Sequence, residues 1–95
     1  MPNSALAYNS FGTVLSADSN YWEEAEWLMK KSLDIASAEE KPLCLYGLGE
    51  LLAKQPKRRA EAVAAYQEAL AGFSTAGESN EVNRVRNILD QLETQ

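Results

Sequence analysis

Leu45-Tyr46-Gly47-Leu48-Gly49-Glu50-Leu51-Leu52 has apolar residues at helical spacing around an internal glycine. Residues 8–15, Tyr8-Asn9-Ser10-Phe11-Gly12-Thr13-Val14-Leu15, repeat that pattern thirty-seven positions earlier. Tyr8 falls on Leu45, Phe11 on Leu48, Gly12 on Gly49 and Leu15 on Leu52. Farther along, Ala25, Met29 and Leu33 fall on Ala62, Tyr66 and Leu70. A third half-copy puts Val82, Val85 and Leu89 in register, with Arg86 where the glycine stood. A fixed period of this length marks a repeat architecture, in which each unit buries its apolar face against the next.

Working outward, the apolar spacing predicts five helices. The first spans Ser4 to Ser16. Ala17-Asp18-Ser19-Asn20 is a turn, and Asn20 with Glu23 has the form of a capping box for the second helix. That helix carries Ala25, Leu28, Met29, Ser32, Leu33 and Ala36 on one face and fades near Ser37. Pro42 suits the first turn of the third helix, where its missing N–H costs nothing. Gln55-Pro56 ends that helix near Lys54, because the residue before a proline is pushed out of the helical region. The fourth runs from about Arg58 to Phe73, with Gly72 and Gly77 bracketing its end. Ser79 or Asn80 caps the fifth, which continues through Leu92. The fold class expected is all-α, one domain over residues 1–95. Repeat one covers about 4–38, repeat two about 41–75 and the terminal helix about 79–92.

At Leu45-x-x-Leu48-Gly49-x-x-Leu52, followed by Ala62-x-x-x-Tyr66-x-x-Ala69-Leu70, the chain resembles the tetratricopeptide repeat family. The likeness covers nearly the whole chain as two helix pairs and a terminal helix. It implies a right-handed superhelix of helical hairpins. The period exceeds the family's usual length of about thirty-four residues, and Ser37 and Ser74 stand where a repeat-ending proline is usual.

Physical chemistry points the same way. A glycine inside a helix costs about 0.8–1.0 kcal/mol relative to alanine, so Gly12 and Gly49 need a reason. Close approach of the paired helix supplies one, with Ala25 and Ala62 facing the glycines. Tyr8, Phe11, Met29, Tyr66 and Leu70 are expected to interdigitate around those crossings. Val14, Leu51 and Ile88 share the period and form a second apolar seam between successive helix pairs. Its outermost members are left without a neighbour, which favours self-association or docking.

In the family, the first helix of each pair lines a concave groove that receives a peptide or a partner's helix. By register, the resemblance implies Asn9, Thr13, Tyr46, Glu50, Lys54, Asn83, Arg84 and Asn87 as partner-binding residues. Asparagines can donate to and accept from an extended backbone, and Tyr46 offers a rigid contact surface. The alternative is that these are ordinary solvated helix positions. One subset of the family grips C-terminal carboxylates, but only Arg84 falls on a matching basic position. Trp27, among Glu23, Glu24, Lys30, Lys31 and Asp34, has two readings. It is either a contact anchor for self-association or a ring lying flat under lysine stems.

Composition bounds the function. The net charge of -5 and pI near 4.6 disfavour nucleic acid, which needs clustered cations. The basic cluster Lys54, Lys57, Arg58 and Arg59 reads as solvation of a helix start. No apolar run approaches the roughly 18 residues that span a bilayer. Cys44 is the only cysteine, so a reducing cytosol is the expected compartment. With no histidine, phosphate loop or metal-ligand spacing, neither catalytic residues nor a cofactor are expected. Cys44 reads as an inert packing residue. The expectation is a non-enzymatic cytoplasmic adaptor that binds another protein or peptide. The alternatives are a homo-oligomerisation module, and a regulatory subunit or secretion-type chaperone.

Overall fold

In the computed structural model, which describes residues 4–94, each of the five periodic stretches is a helix. These are α1 (Ala5–Leu15), α2 (Trp22–Ile35), α3 (Lys41–Ala53), α4 (Arg59–Ala76) and α5 (Ser79–Glu93). Short 3-10 turns, Ser19–Tyr21 and Pro56–Arg58, lead into α2 and α4. No strand occurs among the described residues. Helix α2 packs against both α1 and α3, and α4 packs against both α3 and α5. The principal extents of 34 × 29 × 17 Å accommodate two layers of helices, each about 10 Å across.

The helix ends follow local hydrogen-bonding chemistry. Ser4 Oγ accepts from the Ala7 N–H at 3.3 Å, satisfying one of the orphan donors of α1. Before α2, Asp18 and not Asn20 caps the chain: its Oδ1 accepts from the Asn20 N–H at 2.9 Å. That bond tightens the backbone into the 3-10 turn, so α2 starts without a side-chain cap. The capping box lies instead before α3. The Glu40 N–H donates to Ser37 Oγ at 3.2 Å, and the Ser37 N–H donates to Glu40 Oε1 at 3.0 Å. Ser37→Ala should therefore lower stability by about 1 kcal/mol in urea unfolding.

Gly72 lies inside α4, which runs on to Ala76. The helix stops at Gly77, the one described residue with positive φ, at 75°. The Glu78 N–H bonds the Phe73 carbonyl at 2.9 Å and the Gly77 N–H bonds Ser74 at 3.1 Å, a Schellman arrangement. The chain passes from it into α5 so quickly that neither Ser79 nor Asn80 caps. Glu78 flanks the helix start, with no side-chain bond.

The repeat register survives in the packing. A methyl carbon at Gly12 would lie 2.9 Å from Met29 Cγ and 3.0 Å from the Ala25 carbonyl oxygen. At Gly49 it would lie 3.1 Å from three ring carbons of Tyr66, the repeat counterpart of Met29. Gly49 thus faces Tyr66 as Gly12 faces Met29, and the ring supplies its three nearest neighbours. Ala25 and Ala62 are both fully buried, as are Ser32 and its counterpart Ala69. The Ser32 hydroxyl avoids a burial penalty by donating to the Met29 carbonyl at 2.6 Å.

Phe11 departs from expectation: it is 60% exposed. Each residue advances about 100° around a helix, so Tyr8, Gly12 and Leu15 face α2 while Phe11 turns outward. Its counterpart Leu48 is buried in one cluster with Ala25 and Met29 of α2. No described element covers α1 in the same way. The seam divides likewise, with Val14 exposed, Leu51 fully buried and Ile88 packed against the α4–α5 cluster.

Arg58 does more than solvate a helix start. Its guanidinium binds Glu26 of α2 through both Nη atoms and Glu61 through Nε at 2.6 Å. Lys30 Nζ lies 2.8 Å from the same Glu26 carboxylate. Glu26 therefore leaves the solvated face on which Glu23 and Glu24 remain, and ties α2 to the entry of α4. Arg58 holds the Glu26 carboxyl at about 2, against an ordinary 4.5.

Candidate functional site

The face shared by α1, α3 and α5 gathers six of the eight residues assigned to the groove. Asn9 of α1 lies across α3 at Gly47, where a methyl group would occupy the space of its Oδ1. That oxygen is buried and accepts no hydrogen bond. Asn9 is thus a spacer between helices with one unsatisfied acceptor, and Gly47 is the seat that admits it. Thr13 is exposed, and its hydroxyl donates to the Asn9 carbonyl at 2.9 Å.

Lys54 serves the scaffold. Its Nζ donates to the Ser16 carbonyl at 3.0 Å and contacts Ser16 Oγ at 3.1 Å. The same carbonyl accepts from Trp22 Nε1 at 2.9 Å. The positive charge also sits at the carbonyl end of α1, the favourable pole for a cation. Trp22 itself packs, half-buried, against the core. A narrow cleft of about 90 Å³ lies between Thr13, Ser16, Met29, Gly47, Glu50 and Lys54.

Tyr46 and Glu50, one helical turn apart on α3, form the centre of the face. The Tyr46 ring stands edge-on to Tyr66, with centroids 5.7 Å apart and planes at 78°. This is a favoured aromatic geometry. Burial pushes the Tyr46 hydroxyl up from its ordinary value, Glu50 adds to the rise, and Arg84 opposes it. Burial likewise raises the Glu50 carboxyl, against the pull of Lys54 and Arg84. Arg84 reaches this cluster from α5 while staying 3.6 Å from Glu81 on its own helix. Opposite charges therefore alternate across the face, in a chain of net charge -5.

Asn83 and Asn87 are not brought in. They are exposed on α5, turned about 100° and 60° from Arg84 around the helix axis. The sequence reading missed Ser16, Gly47 and Glu81. Only Gly47 carried a signal, as a second helix-interior glycine two residues before Gly49.

Elsewhere, Trp27 is 59% exposed on α2. Cys44 is fully buried, and burial pushes its thiol up, away from the reactive thiolate. No group of three potential metal ligands occurs among the described residues. Among the described residues no helix is long and apolar enough to cross a membrane. Comparison of the chain with protein-family models, with curated proteins and with solved structures finds no match.

Proposed function

We propose that this chain is a non-enzymatic docking module of tetratricopeptide type, which holds a segment of another protein along the α1–α3–α5 face. The observation that carries the reading is the assembly of Thr13, Tyr46, Glu50 and Arg84 from three helices in three successive repeat units. A surface contributed by several rigid elements is preorganised, which lowers the ordering cost of binding. Tyr46 is held against the Tyr66 ring, so its partly exposed side chain offers contact area with little rotamer freedom to lose. Glu50 and Arg84 supply one acceptor and one donor group for a polar backbone. The finer architecture, a right-handed superhelix with this face concave, belongs to the same proposal. It is supported by the retained thirty-seven-residue register in the Gly12–Met29 and Gly49–Tyr66 contacts. A cytoplasmic setting suits the lone, buried Cys44.

The test is capture of the partner from the native cell, followed by titration of the purified partner segment. Tyr46→Ala combined with Arg84→Ala should weaken binding by at least about tenfold while helicity by circular dichroism is retained. Unchanged affinity in a folded double variant would remove the groove reading.

A further inference from the structure

The first hairpin ends in an apolar flank. Among the described residues, three of the seven exposed large hydrophobics, Leu6, Phe11 and Val14, lie on α1. Phe11 is 60% exposed and Val14 72%, whereas their repeat counterparts Leu48 and Leu51 are 8% and 0% exposed. Leu48 and Leu51 are buried because they share a core cluster with Ala25 and Met29 of α2. The outer face of α1 therefore has the residue pattern of a helix-covered surface and no covering helix among the described residues.

Two further observations say what covers it. The far end of the molecule cannot. The outward face of α5 carries Asn80, Asn83, Arg86, Asn87, Asp90 and Gln91, all exposed. Head-to-tail stacking would press Phe11 and Val14 onto that polar surface and bury its donors and acceptors unpaired. The second observation is charge. Helix α1, Ala-Leu-Ala-Tyr-Asn-Ser-Phe-Gly-Thr-Val-Leu, has no charged residue, in a chain that is 24% charged with a net charge of -5. Two copies repel one another through most surfaces, but an uncharged helix can meet its own image without opposing like charges.

We infer that the α1 face binds a second copy of the chain through a two-fold contact, with Phe11 and Val14 of each copy packed against α1 of the other. A face that matches itself and not the opposite end gives a closed isologous dimer. Phe11 and Val14 lie about 140–160° around α1 from Asn9, so the dimer leaves both α1–α3–α5 faces open.

Sedimentation of the full chain from micromolar to millimolar concentration tests this. The wild type should convert from monomer to dimer over that range. Val14→Asp, at a site already exposed in the monomer, should raise the dissociation constant by at least about a hundredfold while helicity by circular dichroism is retained. Trp27→Ala should leave the dimer intact. A wild type that stays monomeric at millimolar concentration overturns the inference. So does a dimer that survives Val14→Asp, or one that Trp27→Ala dissolves.

Discussion

Tyr66→Ala should destabilise the fold by about 3–5 kcal/mol, the range for removing a buried aromatic ring from a close-packed core. Tyr66 is 2% exposed, lies over Gly49 and supports the Tyr46 ring edge-on. Its loss opens a cavity at the α3–α4 crossing and frees Tyr46 together. Gly49→Leu attacks the same contact from the other side. Leucine gains close to 1 kcal/mol in helix propensity over glycine, but its first carbon alone meets the ring at 3.1 Å. Overpacking by the remaining carbons should win, for a net loss of about 1–3 kcal/mol. Combining the two should cost less than their sum by about 1–2 kcal/mol, since the leucine then fills space the ring has vacated. The measurement is a double-mutant cycle in urea. Strict additivity would show that the two residues do not share the crossing.

Acid should unfold the protein mainly through Glu26. Its folded-state value, about 2, lies below the ordinary 4.5, so its contribution is complete above about pH 4.5. It fades as pH falls from there through about 2. At about 1.4 kcal/mol for each tenfold change in proton affinity, the contribution is about 3 kcal/mol. The Glu26 side chain is only 17% exposed, so solvent screens the pair weakly. Glu50 has the opposite sign. Its folded value is raised, so the cost of holding it ionised disappears as pH falls through that value. Glu26→Gln should cost about 2–3 kcal/mol at pH 7 and little at pH 2, read from urea midpoints at both pH values. Equal losses at the two would mean that the guanidinium contact does not set its affinity for protons.

The repeat register was legible because steric demand leaves a mark on composition. Gly12 and Gly49 stand where helix propensity disfavours them, and only a neighbour at van der Waals distance justifies that cost. Helix positions followed from apolar spacing, and Gln55-Pro56 and Gly77 are strong local stop signals. What was not legible depended on long-range neighbours. Phe11 and Leu48 carry the same pattern, and only the presence or absence of a covering helix separates their burial. Asp18 and Asn20 are both competent caps, and the 3-10 turn chose between them. Lys54 and Arg58 read as surface charge in one dimension. Each finds its partner more than thirty residues away, at Ser16 and Glu26. On the candidate face, register placed Tyr46, Glu50 and Arg84 in line, and the structure sets them within electrostatic reach of one another. The rotation of Asn83 and Asn87 away from Arg84 follows from helix geometry, which alignment by repeat register alone does not weigh.

The Ser16 carbonyl receives the indole N–H of Trp22 from the next helix and the ammonium of Lys54 from the end of α3. A single peptide oxygen thereby links both hairpins, and neither link can lengthen without disturbing the other. Fraying at the end of α1 releases Lys54 and loosens the last turn of α3. Amide protons in those two segments should therefore exchange with solvent together and not as two separate termini.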